Sequence, residues 1–146
     1  LNQQATFGWL FVSPVRLLHC PHPSESQHMS KVTLLDYAQT KHEAYQVDAG
    51  KMLGGSPKQI LSNHFSDASG NFHTGFWEAE PGKWQVHYTE YEYCEILAGV
   101  IWLTDSDGVE MTVRKGDRFV FEAGYRGTWE VLEYARKVYV IFEPKA

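Results

Sequence analysis

From Asn71 onward the chain is punctuated at short, regular intervals, and this punctuation constrains the fold more than any other feature of its sequence. Pro81-Gly82, Asp105-Ser106-Asp107-Gly108, Lys115-Gly116-Asp117 and Ala123-Gly124 each interrupt a run of apolar, β-branched or aromatic residues. Such clusters set backbone angles that a continuing strand or helix does not share, so each reads as a turn. The runs between them are residues 72–80, 83–88, 91–97, 100–104, 109–114, 118–121, 127–133 and 137–142. Residues 58–65 add one more, ahead of the turn at 66–70. Short strands with turn signals every ~8–12 residues and no long helical period predict an all-β sandwich or barrel. The 14% aromatic content fits, because rings pack well on a half-buried pleated surface.

The first part of the chain does not follow this rule. Residues 1–28 hold an apolar stretch broken by Pro14 and Arg16, then a loop around Pro21 and Pro23. They lack the basic flank and cleavage site of a signal peptide. We expect them to be a leader, vector-derived or disordered, with a single domain over 29–146. His19, Cys20, His22 and His28 are ligand types, but their spacing matches no zinc pattern. Residues 31–41 are expected to form a short helix or turn in which Val32, Leu34 and Leu35 pack, and residues 49–57 a loop.

Charge and length narrow the function. A net charge of -5 argues against nucleic acid or an anionic membrane as partner. No apolar run approaches the ~20 residues of a membrane span. Two cysteines are too few for a disulfide framework, which makes a reducing cytoplasm the simpler expectation.

The chemistry concentrates in residues 84–99. Residues two apart in a strand share a face, so Gln85 and His87 point one way and Trp84, Val86 and Tyr88 the other. With Gln85 and His87 inward, the next strand adds Glu92 to the same pocket. An imidazole, a carboxylate and an amide oxygen at one point could ligate manganese, iron, zinc or nickel. Without a metal, His87 and Glu92 would be an acid–base pair, with Gln85 as an orienting amide. His87 or Arg118 is the expected partner of Glu92. Trp77, Trp129 and Tyr139 are candidate pocket walls. Arg136-Lys137 reads as a solvated strand start, and Cys94, on the Glu92 face, as a small buried apolar group.

This segment resembles the first signature of the cupin superfamily: H-x-H, three or four residues, E, six residues, G. Here Gln85-x-His87, four residues, Glu92, six residues and Gly99 fill it. Of the second signature, G, five residues, P-x-G, two residues, H, three residues, N, the glycines hold at Gly116 and Gly124, while Glu122 stands for the proline, Gly127 for the histidine and Val131 for the asparagine. The wider pattern is similar to the cupins grouped with ureidoglycine aminohydrolase and ethanolamine-utilisation proteins. It is carried by Gly75-Phe76-Trp77-Glu78, Pro81-Gly82-Lys83-Trp84, Leu97-Ala98-Gly99, Gly116-Asp117, Tyr125-Arg126-Gly127-Thr128-Trp129-Glu130-Val131 and Arg136-Lys137-Val138-Tyr139-Val140. The resemblance implies a jelly-roll barrel over about 59–143, commonly dimeric, with a pocket in the barrel mouth. The metal-dependent aminohydrolases of that group hold manganese on a glutamate, two histidines and a glutamine. Here Gln85, Tyr91 and Gly127 depart from that set, so no cofactor is expected, and a metal would have only His87, Glu92 and Gln85. The function expected is the binding of a small polar metabolite. The alternatives are a metal-dependent aminohydrolase- or isomerase-like enzyme using His87 and Glu92, and a non-catalytic sensing or dimerising module.

Overall fold

A computed structural model describes residues 31–144, and there the chain is built almost wholly of strands. They are β1 (Glu43–Gln46), β2 (Met52–Gly54), β3 (Lys58–Ser66), β4 (Phe72–Ala79), β5 (Gly82–His87), β6 (Tyr91–Asp105), β7 (Glu110–Arg114), β8 (Arg118–Phe121) and β9 (Arg126–Phe142). All pairings are antiparallel. The expected all-β cupin jelly roll is what the sheet forms. The expected leader, with His19, Cys20, His22 and His28, lies outside the described residues. Among the described residues no helix is long and apolar enough to cross a membrane.

The organising strand is β9. One edge pairs with β5 through its first half, Trp84 opposite Trp129, and with β4 through its second half, Gly75 opposite Tyr139. Its other edge pairs with β6. This double pairing explains two differences from the sequence reading. β9 is continuous across 134–136 and β6 across Gly99, where two strands each were expected. Ladder hydrogen bonds on both edges hold an extended backbone through residues that local propensity alone would release. The price is an irregular register around Ile96, Ala98 and Val100. Gly99 sits there with φ +87°, and a Cβ on it would lie 2.4 Å from the Tyr134 carbonyl oxygen. Only glycine fits both demands.

β1 and β2 were not foreseen. β2 falls in the expected loop and pairs with β5, Met52 opposite Trp84. Both strands are short, β1 exposed throughout and β2 half-buried at Met52 and Gly54, and their pairing partners supply the order that their own composition does not.

The inner face buries Trp77, Trp84, Ile96, Ile101, Trp129 and Val131. Each large side chain so placed contributes on the order of 1.5–3 kcal/mol relative to exposure. Val32 and Leu34, expected to pack, stand exposed. The 31–41 segment is instead attached by polar contacts. A 3-10 turn at Tyr37–Gln39 is capped by the Asp36 carboxylate, which accepts from the Ala38 N–H. The Tyr37 hydroxyl then donates to the buried carboxylate of Glu78 on the outer face of β4, which also accepts from the Tyr134 hydroxyl. The Arg136 guanidinium stacks 3.8 Å above the Tyr37 ring. Its Nε is 3.7 Å from Glu78, an ionic contact longer than a hydrogen bond.

Candidate functional site

Strand alternation fixes which side chains of β5 enter the barrel. Trp84 pairs with Trp129 and Val86 with Gly127, so these positions share one face. Trp84, Val86 and Tyr88 line the inner cavity together with Glu92. Gln85 and His87 point the other way and are exposed. They border polar hollows of the surface, one of them beside Lys51, Asp105 and Arg126. The expected convergence of Gln85, His87 and Glu92 therefore does not occur. The physical reason is the hydrophobic alternation of Trp84-Gln85-Val86-His87-Tyr88. Facing the apolar set inward buries an indole, a valine and a phenol ring, whereas the reverse would bury an amide and an imidazole.

The cupin signature permits three or four residues before its glutamate. The structure selects three, which puts Val86 and Tyr88, not Gln85 and His87, at the ligand positions. Neither offers an imidazole. Gly127, at the position of the last histidine, cannot carry a side chain, because its Cβ would meet the Thr104 carbonyl oxygen at 2.2 Å. Glu92 alone retains a metal-ligating group, and an ammonium already occupies it. Among the described residues no three His, Cys, Asp or Glu side chains gather as a metal site would require. The residues present do not fit a cupin metal.

What they form instead is a buried ion pair on the wall of an aromatic cavity. The cavity measures about 410 Å³ and is partly open to solvent. Glu92, on β6, and Lys137, on β9, are each 4% exposed. The Lys137 Nζ donates to the Glu92 Oε1 at 2.7 Å and lies 3.4 Å from the Cys94 Sγ. It also sits over two indoles, 4.5 Å from the Trp129 ring centre and 5.3 Å from that of Trp77. Burial works against the Lys137 charge, but the negative forms of Cys94 and Glu92 and their hydrogen bonds outweigh it, leaving its pKa above the usual lysine value. Burial also pushes the Cys94 thiol up to about 12. Cys94 is thus neutral at pH 7, and Glu92 is the anion that faces the ammonium. Arg118, expected near Glu92, pairs with Glu95 on the outside, at 3.4 Å.

The rest of the wall is amphipathic. Trp77, Trp129 and Tyr139, expected as pocket residues, do line this cavity. The Trp77 indole N–H donates to the Gln59 amide oxygen at 2.8 Å, and the Tyr45 hydroxyl donates to the same oxygen at 2.8 Å. The Tyr139 hydroxyl donates to the Asn63 amide oxygen at 2.9 Å. Burial raises the Tyr139 phenol to about 12 and the Tyr88 phenol well above its ordinary value, with Glu92 adding to both. Both stay protonated donors at neutral pH. The Trp129 indole N–H is buried and has no partner.

Lys137 was missed as a site residue because Arg136-Lys137 reads as a solvated pair. A signal was present: Ala135, Lys137 and Tyr139 share one face, and both neighbours of the lysine on that face are core types.

Comparison with known proteins agrees with this architecture. Residues 66–139 match the EutQ-like cupin domain family. A Pseudomonas syringae protein of unknown function from the DUF861 family is 25% identical, with a TM-score of 0.64, over 73% of this chain and 46% of that one. The EutQ protein of Clostridium difficile aligns at 18% identity and TM-score 0.55, over 61% of this chain and 65% of that one. A putative ethanolamine utilisation protein Q from Salmonella typhimurium aligns at 14% identity and TM-score 0.55, over 73% and 99%. The latter two are likenesses of fold. The chain spans less than half the length of the Pseudomonas protein. No curated protein matches it.

Proposed function

The chain belongs to the EutQ-like cupin family, and on that premise we propose that its barrel cavity binds a small polar metabolite against the Glu92–Lys137 pair. One observation carries this reading. An ion pair 4% exposed on both sides stands on an open cavity among indoles, where an apolar pair would fill the space at lower desolvation cost. Perturbed ionisable groups gathered in a concave, largely apolar site are the usual mark of a binding or catalytic pocket. Trp77, Trp129 and Tyr139 supply the walls. Glu92 is the acceptor and prospective base, and Lys137 the donor. His87 and Gln85 lie outside this chemistry. If turnover occurs, it is proton transfer between ligand and the Glu92–Lys137 pair, without a metal in the cavity.

The test is a metabolite screen by thermal melting, followed by calorimetry on the hits. Binding that is lost in Glu92→Gln and retained in His87→Ala supports the proposal. Binding that survives in Glu92→Gln and Lys137→Met, each shown to be folded, refutes it.

A second reading, an accessory or dimerising module, is favoured by the exposed Val109, Met111 and Val120 beside a groove of about 410 Å³ between β7 and β8. A cytoplasmic homodimer would suit either reading, and sedimentation equilibrium would report it.

A further inference from the structure

We infer that the ligand of this cavity presents a carbonyl-type oxygen, the proton-free acceptor of a ketone, amide or carboxylate, to unpaired N–H donors of Gln59 and Trp84. This rests on the cavity reading above and narrows it to one recognition chemistry.

Gln59, on β3, is 3% exposed and lines the cavity beside Trp77. Its amide cannot be turned around. The Trp77 indole N–H, 2.8 Å away, is a donor only, so the atom facing it is Oε1, and the Tyr45 hydroxyl donates to that same atom. The two Nε2 hydrogens therefore point elsewhere, and among the described residues no group accepts from them. Trp84, 5% exposed, likewise finds no acceptor for its indole N–H. Among the described residues the fully enclosed side-chain atoms that lack a partner are His64 Nε2, Trp129 Nε1 and Arg136 Nε. Gln59 Nε2 and Trp84 Nε1 are not enclosed in that way, so both open on accessible space. Both residues border the cavity and the hollow that adjoins it, which share Tyr45 and Val86 as well.

Unpaired donors on a mostly apolar wall select what can replace water there. Water satisfies them in solution. A ligand that displaces it must bring an acceptor to the same place, or the desolvated N–H groups count against binding. A carbonyl-type oxygen offers two lone pairs and no proton of its own. A hydroxyl would add a proton, and the acceptor at that corner, Gln59 Oε1, already holds two donors. An ammonium would set donor against donor. The rest of the corner is indole, with the Trp77 and Trp84 ring centres 6.2 Å apart, and suits an apolar body behind the carbonyl.

The experiment uses probes on one ring skeleton. Acetophenone, benzamide and benzoate carry the acceptor; ethylbenzene and benzylamine, an ammonium at pH 7, lack it. Each is titrated into the 15N-labelled full chain. The readout is the side-chain amide pair of Gln59 and the indole N–H of Trp84, assigned by triple-resonance spectra. The expected result is a saturable downfield shift of both with at least one carbonyl probe, and comparing benzoate with the two neutral probes tells an anionic ligand from an uncharged one. Gln59→Glu keeps an oxygen for Trp77 and Tyr45 and replaces the donors by a second acceptor. It should weaken that probe at least ~10-fold and ethylbenzene less than about 2-fold. Trp84→Phe, which keeps an aromatic ring and removes the donor, should weaken the same probe roughly 3- to 10-fold. The resonance shifts need no variant, so a misfolded Gln59→Glu leaves the test intact. Saturable binding of a carbonyl probe with both N–H groups unshifted, or with equal affinity in folded Gln59→Glu, overturns the inference. So does a failure of all three carbonyl probes while compounds of the metabolite screen bind and lose that binding in Glu92→Gln, an outcome that leaves the cavity reading standing. No binding by any probe or any compound of the screen defeats both.

Discussion

Lys137→Met should destabilise this domain severely, and the size of the loss follows from the site. At 2.7 Å and an effective dielectric constant of ~20, the attraction between the two charges is roughly 6 kcal/mol. Much of that offsets the desolvation of two groups that are each 4% exposed. Removing the lysine alone removes the attraction and keeps the desolvated carboxylate, a situation that costs roughly 3–5 kcal/mol. Replacing both members, Glu92→Leu with Lys137→Met, removes the penalty too. The double variant should lie between neutral and about 4 kcal/mol more stable than the parent chain. Urea unfolding followed by tryptophan fluorescence measures all three proteins. The pH dependence adds a second check. The folded-state pKa of Lys137 is raised, so in the parent chain its contribution is fully present below the ordinary lysine value and lost only as pH climbs through the raised one. Neutral pH should leave it flat. A single variant losing less than about 1 kcal/mol, or a double variant as damaged as the single, would refute the reasoning.

Four further outcomes are expected. His87→Ala should change stability by less than about 0.5 kcal/mol and leave cavity binding untouched, as calorimetry and melting would show. Gly127→Ala should cost on the order of 1–3 kcal/mol in urea midpoints, because its Cβ meets the Thr104 carbonyl oxygen at 2.2 Å. Cys94, with its thiol at about 12, should resist alkylation at pH 8 in the native protein and react once unfolded, as peptide mapping would reveal. Asp67, held down to about 2 by the Ser69 hydroxyl and by the Phe72 N–H, contributes stability above the ordinary carboxylate pKa that is lost as pH falls through about 2. Asp67→Ala should therefore flatten that part of the acid-unfolding curve.

The sequence revealed the fold because turn chemistry is local. Asp105-Ser106-Asp107-Gly108 closes the β6–β7 hairpin wherever it occurs, with the Asp105 carboxylate accepting from the Asp107 and Val109 N–H groups. Glu92 was legible as a pocket residue from the signature spacing, whereas Trp77, Trp129 and Tyr139 were candidate walls by residue type alone, a type that core packing shares. At β5 spacing and alternation disagreed. A four-residue spacer favoured Gln85 and His87, while the apolar alternation favoured Trp84, Val86 and Tyr88, and burial decided for the second. Lys137 was hidden for a different reason. Its partner lies 45 residues away, and nothing local to a lysine states that it will be buried. Likewise Glu78 draws its donors from Tyr37 and Tyr134, which only the tertiary fold brings to one carboxylate.

The two-edged pairing of β9 also bears on how the protein is made. β4, β5 and β6 each take their register from residues 126–142, which leave the ribosome after all three. Until then these strands can form only partial sheets, with one edge bare beside several unburied indoles. Synthesis must pass through that interval on every molecule, since no earlier segment can substitute for a strand with two faces of contacts. The interval is when aggregation competes with folding. It ends in a single late step, which should make the domain slow to fold for its size and dependent on intact completion of the chain.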